Sequence, residues 1–124
     1  MANDFCHMDL QTTDPEAAKK FYGELFSWEL EKMDMPGGVE YTLIKPGEGP
    51  LGGIMRQPVE GLPSHWMVYI QVEDVEKSIA KAVELGGEAL RGKTPVANVG
   101  FIAVVQDPTG AAFALWQPAK KQQH

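Results

Sequence analysis

One hairpin pattern occurs twice in this chain, and it constrains the fold more than any other feature. Gly100 to Pro118 reads GFIAVVQDPTGAAFALWQP. Phe101 to Val105 is an apolar, β-branched run. Asp107-Pro108-Thr109-Gly110 is a turn signal, and Ala111 to Trp116 is a second apolar run. Asp opens such a turn, Pro presets φ at its second position and Gly closes it. The stretch predicts a β-hairpin with both arms largely buried. The first half of the chain predicts the same device: Glu40 to Ile44, then Lys45-Pro46-Gly47-Glu48-Gly49, then Leu51 to Met55. The closing glycines, Gly49 and Gly110, stand 61 positions apart.

The stretch before each hairpin repeats as well. Phe5 to Thr12 alternates, with Cys6, Met8 and Leu10 on one face and His7, Asp9 and Gln11 on the other, as in a half-buried strand. Asp14-Pro15-Glu16 starts a helix with Asp14 as N-cap, and Ala18, Phe21, Tyr22 and Leu25 form its apolar stripe. The helix ends near Phe26. A short strand, Trp28 to Met33, and a turn at Pro36-Gly37-Gly38 lead into the hairpin. Gln57 to Ser64 (QPVEGLPS) reads as a linker. The pattern then restarts. His65 to Val72 alternates, with Trp66, Val68 and Ile70 on one face and Met67, Tyr69 and Gln71 on the other. Asp74 caps a second helix with Val75, Ile79, Ala82 and Val83 as its stripe, and Gly86-Gly87 stops it. Glu88 to Arg91 predicts a short strand, Lys93 to Val99 a loop, and Ala119 to His124 a frayed polar tail. The N-cap aspartates, Asp14 and Asp74, are 60 positions apart. Two landmarks at almost one offset predict a duplicated strand-helix-strand-strand-strand unit.

At 124 residues the chain has the size of one domain, with a unit at 5–56, a linker at 57–64 and a second unit at 65–118. Its formal net charge of −6 argues against nucleic-acid and anionic-membrane partners, both of which need a basic footprint. No apolar run approaches the ~20 residues that span a bilayer. The N-terminus lacks the pattern of a signal peptide. Cys6 is the only cysteine, so an internal disulfide and a cysteine-rich zinc site are both excluded. A cytoplasmic location is the expectation.

The ordered set His7…Asp14-Pro15…Phe21-Tyr22…Leu25-Phe26-Ser27-Trp28, then Tyr69…Val72-Glu73-Asp74-Val75, Gly86-Gly87 and Asp107-Pro108-Thr109-Gly110-Ala111…Leu115-Trp116, resembles the vicinal oxygen chelate superfamily. That superfamily comprises glyoxalase I, bleomycin-resistance proteins and extradiol dioxygenases. The back half looks most like a single-domain subgroup ending in DP-x-GA-x-F-x-LWQ, many of whose members have lost the metal site. The resemblance implies an α+β fold of two βαβββ units, a cup-shaped sheet and helices on the outer faces. It implies that Cys6, Met8, Leu10, Trp66, Val68 and Ile70 lie under helices. His7, Asp9, Gln11, Met67, Tyr69 and Gln71 would then line the cup, with a plain solvated sheet face as the alternative.

Metal-dependent members of that superfamily hold a divalent ion with four side chains, one from the first and one from the last strand of each unit. The first ligand stands seven residues before the N-cap aspartate; here those positions are His7 and Met67. The last stands four after the turn glycine; here those are Gly53 and Ala114. A thioether suits the superfamily's metals poorly, and Gly and Ala supply no donor. The expectation is therefore no metal and no cofactor, with His7 as a pocket-lining histidine. A shifted site of His7, Asp9 and His65 is the metal-binding alternative. His7 with Asp9 as a base and its partner is weighed against simple pocket polarity. Gly52-Gly53 lacks the pattern of a phosphate loop, and its glycines are expected to keep the cup floor open. Trp116 shares a face with Ala114 and is a candidate to stack on a ligand, with core or dimer packing as the alternative. Cys6 is expected to pack as a small apolar group.

The functional expectation is a homodimeric protein that binds a small organic molecule at His7, Asp9, Gly53, Met67, Tyr69, Ala114 and Trp116. One alternative is a metal-dependent lyase or dioxygenase of glyoxalase type using His7 with substitute ligands. The other is an antibiotic-sequestering protein of the bleomycin-resistance kind.

Overall fold

A computed structural model describes residues 3–34, 40–45, 51–57, 61, 63–96 and 98–119. The expected turns at Pro36-Gly37-Gly38 and at Pro46 to Gly49 lie outside those residues, as do part of the expected linker and the tail from residue 120 on. The elements in chain order are β1 (Phe5–Thr12), α1 (Pro15–Phe26), β2 (Glu29–Asp34), β3 (Glu40–Lys45) and β4 (Leu51–Arg56). After them come β5 (His65–Gln71), α2 (Val75–Glu84), β6 (Glu88–Val96), β7 (Gly100–Gln106) and β8 (Ala112–Pro118). The fold is α+β and each half is a βαβββ unit. Backbone contacts divide the chain into two compact units, His7–Met67 and Met1–Cys6 with Val68–His124.

The two helices start in the same way. Asp14 Oδ1 accepts from Ala17 N at 3.1 Å and Asp74 Oδ1 accepts from Lys77 N at 3.1 Å, so each aspartate satisfies a donor that the first helical turn leaves open. Pro15 opens α1, where a missing N–H costs nothing. Ser27, at φ 56°, ends α1 in the left-handed region. Gly86, at φ 101°, turns the chain after α2, where only glycine escapes strain.

The strands repeat too. In the first half they run in the order β2-β3-β4-β1, with β1 parallel to β4 and the other neighbours antiparallel. In the second half the order is β5-β8-β7-β6, with β5 parallel to β8 and the rest antiparallel. Helix-side residues make the cores. Leu10, Ile44 and Ile54 pack with Ala18, Tyr22, Trp28 and Leu30. Val72, Val75, Ala103, Val105 and Leu115 pack with Ile79, Ala82 and Phe113.

Several expectations change. β6 continues to Val96 and absorbs most of the expected loop. Its pairing with β7 shifts register between Ala89 and Arg91 and again between Arg91 and Thr94. Such bulges break the alternation that would have marked the strand, and Pro95 is tolerated in a strand with a neighbour on one side only. Trp66, expected in the core, is 42% exposed. Pairing of β5 with β8 begins only at Tyr69, so Trp66 precedes the paired stretch and lies edge-on to Tyr22, ring centroids 5.5 Å apart. On α1, Ala18 and Tyr22 face the core, whereas Phe21 and Leu25 belong to a neighbouring row that the core does not reach and stay exposed. Val83 is exposed on α2 for the same reason, and Met8 is exposed on β1.

Candidate functional site

Strand register decides which side chains share a sheet face. In the first half, Asp9 stands opposite Gly53, and Gly53 opposite Leu43. One pleat along, Gln11 stands opposite Met55, and Met55 opposite Tyr41. This face lies away from α1. Glycine at 53 leaves a gap, and the phenol of Tyr41 occupies it: a Cβ built on Gly53 would overlap the hydroxyl oxygen and Cζ of Tyr41, with Cε1 only 2.6 Å away. The expected open floor at Gly53 is therefore filled, by an aromatic reaching diagonally across from β3.

The gap gives Tyr41 its partners. Its hydroxyl donates to Asp9 Oδ1 at 2.7 Å and lies 2.7 Å from His7 Nε2. His7 Nε2 is in turn 2.6 Å from the same Oδ1. The His7 and Tyr41 rings stack at 6.4 Å with an interplanar angle of 22°. Three polar atoms thus sit pairwise within hydrogen-bond reach. Asp9 Oδ1 accepts the hydroxyl hydrogen of Tyr41, and His7 Nε2 donates into the same cluster in the tautomer that carries its hydrogen there. Asp9 is buried at 4% exposure, whereas the His7 side chain keeps 26%. His7 and Asp9 are brought together as expected. Tyr41 was not anticipated; the available signal was a bulky aromatic on one hairpin arm, diagonal to a glycine on the other.

The remaining expected residues lie as follows. Met67 is buried on β5. Tyr69 and Ala114 are buried opposite each other, and Trp116 stands one pleat along on the same face, opposite Gln71. Trp116 covers Gly100, where an added Cβ would meet its ring at 2.7 Å. His65 Nδ1 lies 2.9 Å from the Pro63 carbonyl oxygen. Cys6 Sγ donates weakly to the Tyr69 carbonyl at 3.6 Å, and burial raises its thiol pKa. A shallow recess runs elsewhere, along α1, lined by Ala17, Lys20, Phe21, Glu24 and Leu25.

The profile of the glyoxalase-like domain family matches residues 6–116. The chain belongs to the glyoxalase-like domain family. CFP32 of Mycobacterium tuberculosis, which carries a glyoxylase name, is 35% identical over 114 residues, covering 92% of this chain and 44% of its own length. The anthracycline biosynthesis protein DnrV of Streptomyces peucetius is 28% identical over 123 residues, covering 88% of this chain and 45% of its own. The chain thus spans less than half the length of these curated relatives. Among solved structures, a hypothetical protein, BH1468 of Bacillus halodurans, superposes with a TM-score of 0.71 at 18% identity, with full coverage of both chains. Methylmalonyl-CoA epimerase of Streptomyces coelicolor superposes with a TM-score of 0.68 at 14% identity, again with full coverage of both. These neighbours establish a vicinal oxygen chelate fold.

This glyoxalase-like chain does not fit the superfamily's metal. Its four ligand positions hold His7, Gly53, Met67 and Ala114: one imidazole and no carboxylate, where a hard or borderline divalent ion wants oxygen and nitrogen donors. At Gly53 the obstacle is steric as well, because Tyr41 fills the space a ligand side chain would need. The shifted site of His7, Asp9 and His65 is not assembled: among the described residues no three His, Cys, Asp or Glu side chains gather. No helix among the described residues is long and apolar enough to cross a membrane.

Proposed function

We propose that this glyoxalase-like chain binds a small organic molecule on the sheet face that carries His7, Asp9 and Tyr41, without the metal of its superfamily. The replacement at Gly53 carries this reading. Where the superfamily places a ligand carboxylate, the chain has a glycine filled by a phenol, and Tyr41 Oη, His7 Nε2 and Asp9 Oδ1 are engaged with one another. The name of DnrV supports an aromatic polycyclic class, so an anthracycline is the first probe. A ligand at 100 times its Kd stabilises a protein by ~2.7 kcal/mol, which a thermal-shift titration detects.

Metal content tests the reading. Tag-free protein is incubated with Zn²⁺, Ni²⁺, Mn²⁺ and Fe²⁺, freed of loose ion and quantified beside His7→Ala and His65→Ala. Bound metal below a tenth of an equivalent is expected. A full equivalent lost in His7→Ala overturns the metal-free reading in favour of a lyase or dioxygenase of glyoxalase type. We further propose a cytoplasmic homodimer. Relatives more than twice as long have room for a second such domain, which a second copy of this chain would replace. A light-scattering mass of 13.6 kDa, that of a single chain, would refute the dimer.

A further inference from the structure

Asp9 lies on the proposed binding face, and its role there rests on that reading. Taking a carboxylate out of water is costly unless its lone pairs find donors. Asp9 is buried, yet both groups that approach it, His7 Nε2 and Tyr41 Oη, converge on Oδ1. Its second oxygen, Oδ2, has no hydrogen-bond partner among the described residues. Nor is Oδ2 sealed in: the fully enclosed side-chain oxygen left without a partner among those residues is Gln57 Oε1. Across the strands, Asp9 is flanked on its face by Gly53 and, beyond it, Leu43, neither of which offers a side-chain donor. If Asp9 served only to tie Tyr41 to β1, Oδ1 would suffice, and a neutral acceptor would avoid the cost of a buried charge.

We propose that Asp9 Oδ2 is the ligand-facing acceptor of this site and that it takes an N–H or O–H donor, a protonated amine or a hydroxyl on the bound molecule. Tyr41 and His7 are positioning residues: by holding Oδ1 they fix the carboxylate plane and so aim Oδ2. Gly53 contributes by admitting the phenol.

The test uses three probes of matched shape, benzylamine, benzyl alcohol and toluene, titrated into the full chain and followed by amide NMR shifts near Asp9 and Gly53. Benzylamine and benzyl alcohol are expected to bind at least tenfold more tightly than toluene, and the two arms separate a cationic from a neutral donor. Asp9→Asn is expected to abolish the preference for benzylamine. Tyr41→Phe, which removes a donor to Oδ1 and changes little in shape, is expected to reduce the ratio of benzylamine to toluene affinity. It decides the matter alone if Asp9→Asn fails to fold. Equal binding of all three probes, or a preference unchanged in the variants, overturns the role of Asp9 but leaves a binding face. Silence with every probe overturns both.

Discussion

The two halves of the chain share a scaffold and differ on one face of it. At the offsets of 60 and 61 read in the sequence, helix-side Leu10, Ile44 and Ile54 correspond to Ile70, Val105 and Leu115, an apolar set in each half. On the other face the correspondence ends. Asp9, Gly53 and Tyr41 in the first half become Tyr69, Ala114 and Ile102 in the second. The helix side is fixed by packing, since burying apolar surface against a helix admits few residue types. The far side is open to specialisation: Gln11 and Gln71 match, but the imidazole of His7 and the carboxylate of Asp9 stand on one copy only, where the other has Met67 and Tyr69. A duplicated fold can thus hold its shape with both halves and concentrate its chemistry in one.

Glycines under aromatics give the largest test of that difference. Each half lays an aromatic across a glycine of the neighbouring strand: Tyr41 over Gly53 and Trp116 over Gly100. At Gly53 an added methyl meets side-chain atoms of Tyr41 alone, whereas at Gly100 it also meets the backbone oxygen of Gln117. Overpacking costs about 1–3 kcal/mol. Gly100→Ala is expected at the top of that range and Gly53→Ala in its middle, by chemical denaturation. Adding Tyr41→Ala should relieve most of the strain of Gly53→Ala, because a side chain can be removed; adding Trp116→Ala should not relieve Gly100→Ala. Equal rescue at both sites would show that the two glycines do the same job.

The polar network gives a smaller effect. Tyr41→Phe leaves Asp9 one donor short, and Asp9→Asn weakens the acceptor for both its partners, each at about 1–3 kcal/mol. Because Tyr41 Oη and Asp9 Oδ1 touch at 2.7 Å, the double variant should cost less than the sum, with a coupling of about 1 kcal/mol. Ile102 and Tyr69 occupy the corresponding positions in the second half, and Ile102→Val should cost about 0.5–1.5 kcal/mol through packing alone. Additive losses for Asp9 and Tyr41 would mean that the short contacts carry no shared energy, and the first half would then resemble the second.

The sequence showed the elements and hid the contacts between them. Periodicity and capping located β1, α1, β5 and α2, because Asp14 and Asp74 announce helix starts by a local hydrogen bond. The offset of the turn glycines located both hairpins. His7 and Asp9 were legible as neighbours on a face, since alternation along one strand suffices. Tyr41 was not, because its role depends on register between β3 and β4, which only the assembled sheet reveals. Trp66, Phe21 and Leu25 failed for a related reason: apolar patterning marks a stripe, but the reach of the partner strand or sheet decides which of its members are covered. β6 was cut short because bulges erase the period that identifies a strand.

The hairpin turns supply the smallest and most selective effect. Asp107 opens the second turn. The Thr109 hydroxyl donates to its Oδ1 at 2.7 Å, and the backbone N–H groups of Thr109 and Ala111 do so at 2.8 and 3.1 Å. The Thr109 hydroxyl first, then those backbone donors, hold its carboxyl below the ordinary aspartate value. In the first hairpin the predicted turn opens instead with Lys45, whose ammonium cannot accept and pairs with Glu31 on β2. A group whose pKa falls on folding contributes stability that is complete above its unfolded pKa, about 3.9, and is lost as pH drops through the folded value. Asp107→Asn should therefore lower stability at pH 7, and the gap from the unmodified chain should narrow as pH falls below that range. Lys45→Gln should lose less at pH 7, because its ion pair with Glu31 lies in solvent, and that smaller gap should also narrow in acid, since an ion pair fades once its carboxylate takes up a proton. Denaturation of the three proteins at pH 7 and pH 3 decides this. A gap for Asp107→Asn that persists at pH 3 would mean the turn is held by shape rather than by charge.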